Sequence, residues 1–376
     1  MKIQQLQYLD KVWKIYMHPE DFDRMQCQLV LVFGESSLIT DTSVFNYLER
    51  SYPEAHIILS STSGEIIHND VFDNSVVVTA IEFDNTNVHC AETNINKHKD
   101  SFEAGHYLMQ QLQQSDLSAA FIISDGTYIN GSELVAGFNK TNTQSVPVTG
   151  GLAGDGSRFT KTFVGLNQLP SEGVIVAIGF YGQQLQVGHG SFGGWDEFGP
   201  VRTITRSDKN ILYEIDGKNA FDLYEDYLGP YKDALPGSAM LFPLSVKEPG
   251  AEKAVVRTIL NINEQERYMV FAGNMPPGSH IRLMKASFNK LIDGSSRAAQ
   301  HTLVTKPDLA ILISCIGRKL ILRDRTDEEV HAVNEIFGTA TCTTGFYSYG
   351  EISPLHAGSQ SELHNQTMTI TTFTEF

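Results

Sequence analysis

An internal repeat constrains the fold of this chain more than any other feature. One order of parts occurs three times: an apolar strand, a polar loop, an amphipathic helix, a second strand, a Gly/Ser/Thr loop ending in a glycine and an acidic residue, and a closing strand. The copies span about residues 29–83, 120–181 and 309–373. Because repeated units determine an architecture, the sequence predicts an α/β protein with two domains and mixed sheets, built from strand-helix-strand-loop-strand units.

The acidic residues that end the three loops are the first candidates for a functional site. They are Glu65 in SSTSGEI, Asp155 in VTGGLAGDG and Glu351 in GFYSYGE. Open α/β sheets place ligand sites at the carboxyl ends of their strands. We therefore predict that the three carboxylates converge on one cavity, and that one or two of them hold an ammonium or another hydrogen-bond donor of a small ligand. The alternative is that each carboxylate accepts backbone N–H groups and fixes its own turn.

Composition and charge exclude several classes of protein. The chain has 376 residues, of which 41% are hydrophobic and 19% charged, which is enough for about two domains. A formal charge of −16 argues against nucleic acid and anionic membranes as partners. The N-terminus lacks the apolar stretch of a signal peptide, and no apolar run reaches the ~18 residues of a membrane span. Four widely spaced cysteines indicate free thiols in a reducing cytoplasm rather than disulfides or a zinc site.

The local amino-acid composition changes in the glycine-rich run GHGSFGGWDEFGP around residues 188–200. We interpret this run as the seam between two domains. The predicted organisation is a lead-in of residues 1–25, an N-terminal domain of residues 26–195 and a C-terminal domain of residues 196–376.

Three helices are predicted to begin with a capping box, in which a polar residue is followed three positions later by an acidic one. Each box would satisfy N–H groups that a first helical turn leaves unpaired. The pairs are Asp100 with Glu103, Asn130 with Glu133, and Thr326 with Glu329.

Specific segments resemble a known family. The chain resembles the C-terminal half of FIST proteins in DGKNAFDLYEDYLG, MLFPL, VVRTILNINEQERYMVFAGNMPPGSHIRLMKAS, ISCIGR and GFYSYGEISP…LHNQTMTITTF, and the N-terminal half in STSGEI, IISDG and TGGLAGDG. The resemblance covers about residue 28 to the end. It implies a sensory module that binds a small ligand such as an amino acid. One branch of the family binds haem, responds to nitric oxide and acts through a partner histidine kinase. We expect no kinase, cyclase, chemoreceptor or F-box segment here, so a separate protein would produce the output.

The candidate site residues follow from the loops and from the resembling segments. No spacing among them is diagnostic of haem, and a CxxCH attachment sequence is absent from the chain. Tyr347 and His189 are further candidates. The predicted haem ligands are His356, His364 and Cys315. The predicted ligand-binding residues are Ser63, Gly64, Glu65, Asp125, Gly151, Asp155, Cys315, Arg318, Tyr349, Glu351, His364 and Asn365.

Cys315 and Arg318 each have two interpretations. A guanidinium three residues away would favour the thiolate form of Cys315, which would make it a reactive thiol or an iron ligand. The cysteine is otherwise a small core residue. Arg318 would either clamp a ligand carboxylate through two hydrogen bonds or pair with Glu351.

The leading functional hypothesis is a cytoplasmic sensor without enzymatic activity that reports haem-bound nitric oxide to a histidine kinase. The alternatives are a haem-free sensor of an amino-acid-like metabolite, a thiol-dependent enzyme centred on Cys315, and a protein-interaction scaffold. The run of glycines in residues 150–156 has no GxGxxG and precedes a strand, so it does not indicate a nucleotide site. GHGSFGG does not match the GxSxG elbow of hydrolases.

Overall fold

The computed structural model describes residues 1–235 and 237–376. The first repeat and its flanks contain strands β1 (Lys2–Leu9), β2 (Val12–Met17), β3 (Leu29–Gly34), β4 (His56–Ser61), β5 (Glu65–Ile67), β6 (Asp70–Phe72), β7 (Val76–Glu82) and β8 (Asn87–Asn94), with helices α1 (Ser36–Ile39) and α2 (Thr42–Ser51). The second repeat contains α3 (Ser101–Leu112), β9 (Leu117–Ser124), α4 (Gly131–Thr141), β10 (Val148–Leu152), β11 (Val164–Leu166), β12 (Val174–Tyr181) and β13 (Leu185–Phe192).

The remaining elements form a separate sheet and then the third repeat. The separate sheet is built from β14 (Trp195–Asp208), β15 (Ile211–Ile215), β16 (Lys218–Asn219), β17 (Leu244–Lys247), β18 (Val255–Arg257), β19 (Ile259–Asn263), β20 (Tyr268–Phe271) and β21 (His280–Ala286), with helix α5 (Ala220–Leu228). The third repeat and its lead-in contain α6 (Phe288–Thr302), β22 (Leu309–Cys315), α7 (Ile316–Leu322), α8 (Thr326–Phe337), β23 (Cys342–Ser348), β24 (Gly350–Pro354), β25 (Ser361–His364) and β26 (Met368–Glu375). Short 3-10 helices lie at Ile95–Lys97, Gly229–Ala234, Gly237–Leu241 and Arg323–Arg325.

The three repeats have the same arrangement of strands. In each, the first strand lies in the middle, parallel to the second and antiparallel to the closing strand, in the orders β4-β3-β7, β10-β9-β12 and β23-β22-β26. A further strand pairs with each closing strand, namely β1, β8 and β13. The predicted α/β class with repeated units and mixed sheets is confirmed.

The short strand inside each repeat leaves its own unit and joins the sheet of another. Strand β5 of the first repeat pairs with β23 of the third, and β24 of the third pairs with β10 of the second. The circle closes where β11 of the second repeat pairs with β4 of the first. Each six-stranded sheet therefore depends on a strand that another repeat supplies, a feature that the sequence pattern did not predict.

The central strands are buried on both faces, as their continuous apolar sequences indicate. Alternate residues of β3, β9 and β22, such as Phe33, Phe121 and Ile313, meet in one cluster shared by the three sheets. The residues between them, such as Val32 and Leu312, pack beneath the helices outside. The three sheets thus enclose a common core, and helices cover their outer faces.

Residues 195–235 and 237–286 form a body with a core of its own. Its strands follow the order β18-β17-β21-β14-β15-β20-β19, and β16 pairs with β15. Helix α5 packs on this sheet through Phe221 and Tyr224. The third repeat follows this body in sequence but shares the core of the first two repeats. The predicted domain boundaries after residues 25 and 195 stay predictions.

Two of the three predicted helix starts are confirmed. The side chain of Asp100 accepts the N–H of Glu103 at 3.0 Å, and that of Asn130 accepts the N–H of Glu133 at 3.1 Å. The prediction for the third was wrong, because in the described part of the chain α8 begins without a side-chain cap. Its Glu329 turns into the core instead and bonds to Arg318.

The parallel pairing of β10 with β9 inside the second repeat requires glycine where the two backbones come closest. Gly150 in β10 has a φ of 140°, and a Cβ atom there would lie 1.9 Å from the backbone oxygen of Ile122. We expect Gly150→Ala to lower the free energy of unfolding by about 3 kcal/mol, since it adds backbone strain and a clash with backbone. Gly217→Ala is the matched control, because φ is 73° there but nothing lies within 4 Å of the added atom. It should cost only about 1 kcal/mol. Urea denaturation followed by circular dichroism measures both, and equal losses would contradict the close-approach argument.

Candidate functional site

The three Gly-acid loops meet at the centre of the ring of exchanged strands. The N–H of Ser63 donates to the carbonyl of Tyr347 at 2.8 Å, and the N–H of Tyr347 donates to the carbonyl of Gly64 at 2.8 Å. The hydroxyl of Ser63 also donates to the carbonyl of Gly156 at 3.1 Å. A side chain at Gly154 would meet Ser63 Oγ at 2.3 Å. The first loop therefore contacts both others, and glycine permits that contact.

Glu65 closes the first loop and lines a pocket. Its carboxyl group is 1% exposed and accepts the hydroxyls of Thr62 at 2.5 Å and Ser75 at 2.8 Å. Burial raises the pKa of Glu65 to about 8, and the two hydroxyls only partly oppose this shift. The side chain is therefore mostly protonated and uncharged at neutral pH.

Glu351 has hydrogen-bond partners in the third loop like those of Glu65 in the first, but it does not line the same pocket. It accepts the hydroxyls of Ser348 and Thr367, each at 2.8 Å, at positions that correspond to Thr62 and Ser75. Burial raises its pKa to about 7. Glu351 is not among the described residues that line the pocket beside Glu65. The expectation that all three carboxylates line one cavity is therefore not met.

Asp155 closes the second loop through backbone donors. It accepts the N–H groups of Phe159 at 2.8 Å and of Thr160 and Lys161 at 3.0 Å, together with the hydroxyl of Tyr349. Burial alone would raise the pKa of Asp155, but the N–H of Lys161 and the hydroxyl of Tyr349 outweigh it and lower the pKa. Asp155 thus fixes its own turn, as the alternative interpretation has it.

An open pocket of about 770 Å³ lies beside the first loop. Its walls come from the loops of the first and second repeats and from α7 with the turn that follows it. The Lys319 ammonium donates to the carbonyl of Ser63 at 3.0 Å and to Asp73 Oδ1 at 2.5 Å. The ionisable residues that line the pocket are Glu35, Glu65, Asp73, Arg158, Lys319, Arg323 and Asp324.

Comparison with known families identifies the chain. Residues 28–218, about half of its 376 residues, match the family described as FIST N domain. Residues 220–354 match the family described as FIST C domain. The chain belongs to the FIST family. No curated protein matches it. FIST domains are sensory ligand-binding domains associated with signal transduction, so the pocket is the natural place to look for a ligand.

Three of the predicted ligand-binding residues of this FIST protein line the pocket: Ser63, Gly64 and Glu65. Asp125 instead accepts the N–H groups of its own loop, from Thr127 and Tyr128 at 2.7 Å. Gly151 makes room for Ile313, whose Cγ2 would lie 2.9 Å from an added Cβ. The role of Asp125 and Gly151 in binding stays a prediction, and their contacts here are structural.

Arg318 lies in the core and is fully bonded. Its Nε and Nη2 donate to Glu329 Oε2 at 3.0 and 2.7 Å, and Nη1 donates to the carbonyl of Gly193 at 2.5 Å. The structural partner of Arg318 is therefore Glu329, not Glu351. Each guanidinium nitrogen has a protein acceptor, which does not favour the prediction that Arg318 clamps a ligand carboxylate.

The interpretation in which Arg318 lowers the pKa of the Cys315 thiol was wrong, because that pKa is raised. Cys315 is 2% exposed, and burial followed by the charge of Glu351 raises the pKa of its thiol, while Arg318 opposes this only weakly. All four cysteines are free thiols. The geometry thus favours the interpretation of Cys315 as a core residue.

The remaining candidates are not among the described residues that line the pocket. His364 is 3% exposed, its Nε2 is 2.8 Å from the carbonyl of Ser353, and burial lowers its pKa to about 4. His356 is exposed and lies 3.6 Å from Glu252. Burial lowers the pKa of His189.

Asn365 is fully buried, and within the described residues neither its side-chain oxygen nor its side-chain nitrogen has a hydrogen-bond partner. Tyr349 and Tyr347 bond to Asp155 and Glu329.

The residues present do not fit a haem at this pocket. Within residues 1–235 and 237–376, neither a histidine nor a cysteine lines it. The predicted axial ligands Cys315 and His364 are buried, and His364 Nε2 already faces a carbonyl. The described residues also contain no group of three or more His, Cys, Asp or Glu side chains arranged to hold a metal ion. Haem binding stays a prediction from the family resemblance.

Lys319 is the functional candidate that the sequence reasoning missed. Successive residues of a helix point about 100° apart, so α7 turns Arg318 inward and Lys319 towards the pocket. The sequence signal was the segment ISCIGRK, where two adjacent cationic residues follow a buried strand.

The described helices include none long and apolar enough to cross a membrane.

The raised pKa of Glu65 predicts a pH dependence of stability. Between its ordinary value of 4.5 and about 8, the folded protein holds a proton that the unfolded chain has released, so stability falls as pH rises. Glu65→Gln mimics the protonated carboxyl and removes this dependence. We expect the variant to gain at least about 1.4 kcal/mol relative to wild type between about pH 5 and pH 8.5. Urea denaturation at both pH values measures it. The exposed Glu54→Gln is the control, and a parallel shift in both variants would contradict the assignment.

Proposed function

We propose that this FIST protein is a cytoplasmic sensor of an amino-acid-like small ligand that binds in the pocket beside Glu65 and Lys319. One observation carries the proposal. With Glu65 protonated, three cations (Arg158, Lys319 and Arg323) face three carboxylates (Glu35, Asp73 and Asp324) around an open pocket. Such a balance suits a molecule with one positive and one negative group.

The positive side of the pocket has capacity for a ligand carboxylate. Arg323 is exposed, and among the described residues no carboxylate lies within ion-pair distance of it. The neighbouring Lys319 is held in place by Ser63 and Asp73. A carboxylate between the two cations would make charge-assisted hydrogen bonds to both. Asp73 and Asp324 then remain to accept hydrogen bonds from an ammonium group.

The proposed output is a change in the activity of a separate signalling protein, such as a histidine kinase. The buried Cys315 and the bonded carboxylates supply no nucleophile with an adjacent base, so we propose a sensory rather than a catalytic role. The free thiols support a cytoplasmic location.

Ligand binding at Lys319 can be tested by thermal shift with a panel of the common L-amino acids. A ligand that binds only the folded protein raises its melting temperature. Lys319→Met removes one charge-assisted bond, so we expect the affinity of the best ligand to fall about tenfold or more. Lys140→Met is the matched control, because Lys140 is exposed on α4 and does not line the pocket. Failure of every amino acid to stabilise the wild type, or equal affinities of the two variants, would contradict the proposal.

A hemin titration tests the haem-dependent alternative. We expect hemin to produce no Soret band that depends on His356, His364 or Cys315, because two of these residues are buried and none lines the pocket. The variants are His356→Gln, His364→Gln and Cys315→Ser. A stable band that disappears in one of them would establish haem ligation and replace the amino-acid proposal.

A further inference from the structure

A second pocket lies at the interface between the second and third repeats on one side and the separate sheet on the other. Its volume is about 300 Å³, at the low end of the ~300–1,000 Å³ of small-molecule sites. Helix α4 and strand β25 form one wall, and the segment from β17 to β18 forms the other. Among the described residues, it shares no lining residue with the pocket at Lys319.

Arg257 lines this second pocket and lacks a carboxylate partner. It is 5% exposed. Its Nη1 donates to the carbonyls of Leu363 at 2.8 Å and Val256 at 3.3 Å, and its Nε donates to the carbonyl of Asn274 at 3.2 Å. Nη2 has no acceptor within residues 1–235 and 237–376. The acceptors are all neutral, and one face of the guanidinium fork is unused.

The other fully buried arginine, Arg318, has the carboxylate partner that Arg257 lacks. Arg318 donates from Nε and Nη2 to one oxygen of Glu329, in addition to its bonds with carbonyls. A buried guanidinium without such a partner is unfavourable, because desolvation is not repaid by a nearby opposite charge. Burial lowers the pKa of Arg257 to about 10, although the charges of Glu362 and Glu248 oppose this. Arg257 is nevertheless a cation at neutral pH.

The position of Arg257 is fixed by close packing. A Cβ atom at Gly273 would lie 2.8 Å from both Arg257 Nε and Ser132 Oγ, so this glycine lets the backbone press against the guanidinium. The next residue, Asn274, bonds to Asn130 at 2.9 Å and to Glu133 at 2.5 Å at the start of α4. The guanidinium is therefore pre-oriented, which reduces the entropy that a ligand must lose on binding.

We propose that this pocket binds a small carboxylate, which Nη2 of Arg257 holds. The exposed Lys253 adds a second cation among the lining residues. Glu248 and Glu362 lie on the same walls, so a carboxylate that also carries an ammonium group fits the charges best. The site is separate from the pocket of the proposed function and does not depend on it.

Isothermal titration with β-alanine and with propionate tests the site. Arg257→Lys keeps the charge but loses the planar fork, so we expect affinity for β-alanine to fall about tenfold or more. Arg206→Lys is the matched control, because Arg206 lies on the same sheet, is exposed and pairs with Glu214 at 2.9 Å. Arg206→Lys should bind as the wild type does. Loss of binding in Lys319→Met but not in Arg257→Lys would assign the titration to the first pocket and overturn the inference.

A second variant keeps the test decisive if Arg257→Lys does not fold. Glu362→Gln removes a negative charge from a half-buried position on the pocket wall. It should tighten propionate binding severalfold while weakening the preference for β-alanine over propionate. Absence of binding of both probes to the wild type, or an unchanged propionate affinity in Glu362→Gln, would overturn the site.

Discussion

The structure depends on the exchange of strands among its three repeats. Strands β5, β24 and β11 each complete the sheet of a neighbouring repeat through backbone hydrogen bonds. An unpaired strand edge is costly and prone to aggregation, so no repeat is complete alone. The loops that carry the crossings therefore lie against one another, and Gly154, where a Cβ atom would meet Ser63, makes this possible. The repetition thus explains both the shared core and the position of the acidic loops.

The equivalent acidic residues of the first and third repeats have the same structural role, but they differ in whether they line a pocket. Glu65 and Glu351 each accept two hydroxyls at corresponding positions of their repeats, so each carboxyl group stabilises its own loop. Glu65 is among the described residues that line the open pocket at Lys319, and Glu351 is not. The site is thus created where a helix of the third repeat meets the loop of the first, and not by the convergence of three carboxylates.

The sequence was sufficient to predict what local patterns determine. The apolar strands predicted at the start of the first two repeats are present as β3 and β9, and the caps Asp100 and Asn130 begin their helices as expected. Predictions failed where a distant partner decides. Glu329 has the spacing of a capping box, but its carboxylate is directed into the core, where it accepts hydrogen bonds from the buried Arg318. The exchange of strands and the inward turn of Arg318, with Lys319 outward, are likewise consequences of tertiary packing.

The two pockets are connected by a short path of hydrogen bonds and one covalent step along the chain. Arg257 bonds to the carbonyl of Leu363 in β25, and β25 pairs with β24. Strand β24 begins directly after Tyr349, whose hydroxyl donates to the carbonyl of Gly156 at 3.1 Å on the wall of the first pocket. Contiguity alone does not establish coupling. It does mean that a carboxylate at Arg257 and a ligand at Lys319 would act on the same pair of strands. Any influence of one on the affinity for the other must then be reciprocal.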